Sequence, residues 1–352
     1  MKRIAKKVLV LLIYILFLCL LLEIVSRTEW SIRRDVSFFS PATYFYYPEL
    51  KPVAMQRIVR GDDPFDILLL GGSVLTEEWG SISRLLAERV AYATKARVRV
   101  HNLAESAQTT LDSFYKYRHL QDKSFDLVIL YHGINDVRLN NCPPQVYKED
   151  YSQYSWYKVI NLFEAHPALA SAVSFYSLYY RFIRIQEKIG SPPKYISRKM
   201  PLEEWLKYGD RIKTATAFRR NIEKILDIAK NKEEPVLLMS FCYYVAPNYT
   251  LEAFMHRKVD YTLFGAPVEI WGIPENVVAG MDVHNSIIRD LAGYQDGNTY
   301  VDQKAGFPQD GEYFNDICHL TQKGCERFVD GIIQKVLERV PRPPVGPGEA
   351  EK

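Results

Sequence analysis

The chain has 352 residues, 47% hydrophobic and 25% charged, an ordinary globular balance that excludes a disordered or low-complexity protein. Its formal net charge is +3, and the basic residues are scattered among acidic ones; with no basic stripe, nucleic acid is not an expected partner. Of five cysteines, Cys19 lies in an apolar run, and Cys142, Cys242, Cys318 and Cys325 lack paired C-x-x-C spacing, so no structural metal is expected. In an exported domain these four allow up to two disulfides, and the sequence does not choose among the pairings.

Residues 1–7 form a basic tail carrying Lys2, Arg3, Lys6 and Lys7. Residues 8–25 are apolar and, with their flanks, approach the roughly 20 residues that span a bilayer as a helix. The reading is an uncleaved single-pass anchor: no small-residue cleavage pattern follows, and Phe17-Leu18-Cys19 lacks the small residue that precedes a lipidated cysteine. A cleaved signal peptide is the competing reading. The short basic tail favours an inside N-terminus, although Arg27, Arg33 and Arg34 on the far flank nearly offset it. The rest of the chain is therefore expected outside the cytoplasm, in the periplasm if the source is Gram-negative.

Residues 26–64 read as a connector rich in aromatics and prolines. The stretch 65–340 then alternates strands and helices. Apolar runs predict strands at 66–70, 97–103, 125–131, 235–241 and 299–301. Helical periodicity predicts helices at 76–94, 109–120, 215–230, 274–291 and 321–340. Residues 138–212 interrupt the alternation as an aromatic-rich helical insertion, expected mostly to pack, with a substrate lid, a sugar-stacking surface or a membrane-facing patch as alternatives. Within it, 175–185 carries Arg181 and Arg184, which suits an interfacial helix. The Pro- and Gly-rich tail 341–352 is expected to be disordered. Short apolar strands alternating with amphipathic helices predict an α/β fold with a mainly parallel sheet covered on both faces, and ligands in such sheets bind beyond the carboxyl ends of the strands.

Four segments fall at that edge. Gly71-Gly72-Ser73-Val74 follows the first strand, and its glycines allow a sharp turn that sets Ser73 at a helix start among free backbone N–H groups. Residues 102–110 form a small-residue turn after the second strand. Gly133-Ile134-Asn135-Asp136 follows the third, where the Asn135 amide can donate to an oxyanion. Asp316-Ile317-Cys318-His319 precedes the last helix; among the seven histidines only His319 has an aspartate three residues upstream, close enough to orient its ring as a general base. His132 and His284 lack such a partner and are expected to be structural. Nucleophile, oxyanion donors and oriented base are the parts acyl transfer needs.

In order and placement the set resembles the SGNH (GDSL-like) hydrolase superfamily over residues 66–340. That resemblance implies a flavodoxin-like three-layer α/β/α sandwich and a Ser-His-Asp mechanism that uses no cofactor and no metal. It implies Ser73 as nucleophile, Asp316 and His319 as the base pair, and an oxyanion hole of Asn135 with the backbone N–H groups of Ser73 and Ala107. The sequence departs from the family pattern twice. Gly72 stands where many members have aspartate, and Ala107 stands at the usual oxyanion glycine, where a positive φ strains any residue but glycine. An α/β-hydrolase is excluded because Leu75 breaks the G-x-S-x-G pattern. The expected function is an ester hydrolase at the cell envelope acting on a small-molecule, lipid or polysaccharide ester, with activity falling at acid pH as His319 becomes protonated. The alternatives are an O-acyltransferase modifying an envelope polysaccharide and a catalytically inactive, membrane-tethered binding protein.

Overall fold

The computed structural model describes residues 2–166, 172–189, 203–294 and 297–341. The expected disordered tail lies outside them, apart from Pro341. In chain order the principal elements are α1 (Lys2–Arg34), β1 (Phe65–Gly71), α2 (Ile82–Thr94), β2 (Val98–Asn102), α3 (Thr110–Arg118), β3 (Leu127–Tyr131) and α4 (Ile134–Val137). They continue with α5 (Ser155–Ala165), α6 (Val173–Ile189), α7 (Thr214–Asn231), β4 (Val236–Met239), α8 (Pro274–Leu291), β5 (Thr299–Val301) and α9 (Gln322–Leu337). Contacts divide the chain into two compact units: the described residues of Met1–Val53 with Asp150–Ile196, and those of Ala54–Glu149 with Ser197–Lys352.

In the first unit α1 is a 33-residue helix, long and apolar enough to cross a membrane, and it stays helical beyond the apolar run as far as Arg34. Its Glu23 carboxylate accepts from the N–H groups of Val173 (3.1 Å) and Ser174 (2.9 Å), supplying the opening turn of α6 with the acceptors a helix start lacks. Trp30 packs on Tyr176 with ring centroids 5.3 Å apart, and Arg181 pairs with Glu29.

The second unit holds a five-stranded, all-parallel sheet in the order β2-β1-β3-β4-β5, the flavodoxin-like order. Central β1 and β3 are buried throughout, which is why they read as unbroken apolar runs. The edge strands β2 and β5 are largely half-buried. α2 packs with α9, while α3 and α8 both pack on α7, so helices cover both faces and complete a three-layer α/β/α sandwich. Buried Ala217, Phe218, Ile222, Ile225, Leu226 and Ala229 on α7 recur at helical spacing; each large apolar side chain so buried contributes about 1.5–3 kcal/mol.

Local chemistry sets the helix ends. Thr109 and Asp112 form a reciprocal capping box at α3, Thr321 caps α9, and Pro274 occupies the first turn of α8. The clearest departure from expectation lies after β1. The helix expected from residue 76 begins at Ile82, and Ser73 instead heads a single 3-10 turn, Ser73–Leu75. Turn bonds to Thr76 O from Trp79 N (3.1 Å) and Gly80 N (3.2 Å) occupy the residues between.

Candidate active site

The glycines before Ser73 are there for closeness. A Cβ on Gly71 would stand 2.8 Å from Tyr131 O, and one on Gly72 would stand 2.7 Å from Asn135 Nδ2. Neighbouring β1 and β3 end in register, Gly71 beside Tyr131, so the turns that follow them are pressed together at the carboxyl edge. The missing aspartate at position 72 thus matches a backbone that lies against the Asn135 amide. At the head of its turn Ser73 belongs to the residues whose N–H groups have no partner within the turn.

His319 sits on a closed loop. Phe314 and Leu320 form an antiparallel bridge, Asn315 N donates to His319 O at 2.7 Å, and Asn315 Nδ2 donates to Leu320 O at 2.8 Å. Inside the loop, Asp316 Oδ1 accepts from the backbone N–H groups of Cys318 and His319, each at 2.9 Å. Its Oδ2 lies 2.6 Å from His319 Nδ1, which assigns the ring proton to Nδ1. Nε2 is then an acceptor, 2.8 Å from Ser73 Oγ. All three residues are buried, Asp316 fully.

Two tryptophans complete the surroundings. Trp79 stacks on the His319 ring, with centroids 3.9 Å apart and planes 18° apart, and the Trp271 ring lies 6.2 Å from it. Gly265 makes room for this stack, because a Cβ there would stand 2.6 Å from Asp316 Oδ2 and 2.8 Å from Trp79 Cζ3.

Asn135 lies in the short helix α4. Its Nδ2 donates to Gln108 O at 2.9 Å and its Oδ1 accepts from Trp271 Nε1 at 3.2 Å, leaving one amide N–H to point elsewhere. The next residue, Asp136, accepts from Thr110 N (3.2 Å) and Thr110 Oγ1 (2.6 Å), tying α4 to the start of α3. Ala107 adopts φ +64°, the left-handed conformation that an L residue tolerates poorly, so of the two backbone states open to it the chain uses the strained one. Gln108 follows it, and the Gln108 side chain accepts from the buried Lys116 ammonium.

The structure therefore joins Ser73, His319 and Asp316 by direct hydrogen bonds, sets Asn135 against Gly72 and Gln108, and places Ala107 in the same turn as Gln108. His132 and His284 lie elsewhere: His132 Nε2 pairs with Ser113 Oγ at 2.7 Å, and His284 Nε2 pairs with Thr214 Oγ1 at 2.9 Å. Burial pushes both imidazoles down to about 3, with the Lys116 charge adding to the effect on His132.

Among the described residues Asp316, Cys318 and His319 also bring three ligand atoms within 4.8 Å of one another. A cation there would have to displace the Nδ1 hydrogen bond and ionise Cys318, whose thiol burial holds well above its ordinary range. The donor set fits a hydrogen-bonded triad better. Cys142, Cys242, Cys318 and Cys325 are buried free thiols.

Trp79, Gln108, Gly265 and Trp271 were not singled out from sequence. Gly265 and Trp271 lie between β4 and α8, where no periodic pattern marks a site. Trp79 lay inside the predicted helix 76–94 and Gln108 inside the 102–110 turn, where periodicity and composition mark neither.

No family model matches the chain. No curated protein matches it either. Among solved structures it is similar to a lipase/acylhydrolase from Enterococcus faecalis, with 15% identity, TM-score 0.42, and coverage of 79% of this chain and 98% of that one. It is also similar to a GDSL-like lipase from Bacteroides thetaiotaomicron, with 15% identity, TM-score 0.43, and coverage of 85% and 99%. An acetylxylan esterase from Geobacillus stearothermophilus shows 12% identity, TM-score 0.41, and coverage of 79% and 96%. These structures bear the names of esterases and acylhydrolases, and the likeness to them runs across most of this chain and nearly all of theirs.

Proposed function

We propose that the chain is a serine ester hydrolase of the SGNH kind, working through an acyl-enzyme at a membrane-anchored site outside the cytoplasm. The observation that supports this most directly is the unbroken path Ser73 Oγ to His319 Nε2 (2.8 Å) and His319 Nδ1 to Asp316 Oδ2 (2.6 Å). In this reading Ser73 Oγ bonds the ester carbonyl carbon while its proton passes to Nε2. The bond to the alcohol then breaks, and the Nε2 proton leaves with the alkoxide. Water gives a proton to Nε2 as it attacks the acyl-enzyme; the acid departs and the proton returns to Ser73. Asp316 keeps the other ring nitrogen protonated throughout and offsets the imidazolium charge. The free N–H of Asn135, with the backbone N–H groups of Ser73 and Ala107, receives the oxyanion.

Labelling by a fluorophosphonate probe, together with turnover of a panel of esters graded by acyl length, tests the reading. Both are expected for the wild type and absent in Ser73→Ala. A folded wild type that neither labels nor turns over any ester supports the inactive scaffold instead. Anchoring by α1 is expected to keep the chain in the membrane fraction through alkaline extraction; release into the supernatant would argue for a cleaved signal.

A further inference from the structure

Asn135 can serve the oxyanion only if its amide is turned the right way, and nothing within α4 fixes that turn. A side-chain amide has two nearly isosteric orientations, and its partners decide between them. Here the partners are unambiguous in kind. Gln108 O, 2.9 Å from Nδ2, can only accept, and the indole Nε1–H of Trp271, 3.2 Å from Oδ1, can only donate. Reversing the amide would set oxygen against oxygen and N–H against N–H. We infer that Trp271 is a positioning residue that locks the Asn135 amide with one N–H directed at the oxyanion, an inference that rests on the ester-hydrolase reading above.

Trp271 is placed well for this task. It is buried, 4% exposed. Its carbonyl accepts from Asn141 Nδ2 at 2.6 Å, and the same Nδ2 donates to Arg138 O at 2.9 Å, so the turn just after α4 holds the tryptophan main chain while α4 itself holds the indole. Gly272 lets the chain come that close: its φ is +141°, and a Cβ there would stand 2.8 Å from Asn141 Oδ1. Asn135 and the residue that orients it thus belong to one clamped assembly spanning α4 and the loop before α8.

The test is a double-mutant cycle of Trp271→Phe and Asn135→Ala, using p-nitrophenyl acetate turnover and the rate of fluorophosphonate labelling, with thermal melts to confirm folding. Trp271→Phe keeps the ring and loses the donor. It is expected to lower kcat about tenfold with KM within about twofold, a fraction of the 100-fold or more seen when an oxyanion donor is removed outright. In the Asn135→Ala background the same change is expected to alter kcat by less than about twofold. Wild-type kcat in Trp271→Phe, or an equal drop in both backgrounds, overturns the inference while leaving the hydrolase reading intact. A wild type without Ser73-dependent turnover overturns both.

Discussion

Trp79 lies face to face with His319, ring centroids 3.9 Å apart, against the π-surface of the imidazole, whose edge meets Ser73 and Asp316. In the proposed mechanism the ring gains positive charge when it takes the Ser73 proton, and an indole face attracts a cation by about 1 kcal/mol or more where water is excluded. Trp79→Leu is therefore expected to lower kcat/KM about 5- to 10-fold, since 1.4 kcal/mol is a factor of about ten. Trp79→Phe should retain most of the activity. Steady-state kinetics of the two variants on p-nitrophenyl acetate checks this; equal losses would point to packing instead of charge.

Gly265 is expected to be intolerant for a steric reason. A methyl group there would press on both Asp316 Oδ2 and Trp79 Cζ3. Gly265→Ala should cost at least about tenfold in kcat, and overpacking of this kind costs about 1–3 kcal/mol of stability. Gly293→Ala, where a Cβ would meet nothing within 4 Å, is the matched control and should behave as wild type. Parallel kinetics and denaturant melts on both variants decide the point.

Ala107 holds a conformation that costs an L residue about 1–2 kcal/mol. Ala107→Gly relieves that strain but frees the unfolded chain, so a net gain of about 0.5–1 kcal/mol is expected, with activity little changed. Ala107→Val should destabilise by more than about 1 kcal/mol, because a β-branched residue suits the left-handed region least. Denaturant melts read both signs.

His132 and His284 make folding sensitive to acid. In the unfolded chain both take up a proton as pH falls through about 6.5, whereas in the fold burial keeps them neutral down to about 3. The unfolded state binds more protons in that window, so stability falls as pH drops from about 6.5 toward 3, by about 1.4 kcal/mol per pH unit for each histidine well inside it. His284→Gln should show a shallower acid slope than wild type in chemical denaturation, whatever its stability at neutral pH. Parallel slopes would rule His284 out as a contributor.

The sheet was legible because its two central strands are buried on both faces and carry runs such as Leu68-Leu69-Leu70 and Leu127 to Tyr131 that the half-buried edge strands β2 and β5 lack. α8 was legible to the residue because Pro274 marks its start. The start of α2 was not: the apolar period runs back through Val74 and Leu75, and the local bonds of Thr76 that end the first turn leave no trace in periodicity. The hydrogen-bonded set Ser73, His319 and Asp316 left a trace because Asp316 and His319 lie three residues apart and Ser73 follows a strand directly. Trp79 shows the limit, since its stacking on a residue 240 positions away depends on α2 and α9 packing together. Trp271 is the same case from the opposite side, a long-range hydrogen bond from the loop before α8 to the short helix α4 with no shared pattern.

The cinched Phe314–Leu320 loop leads straight into α9, and α9 packs against α2, the helix that follows the Ser73 turn. Ser73 Oγ and His319 Nε2 are thus carried by segments adjoining two helices that pack on each other, and their 2.8 Å separation follows from that packing.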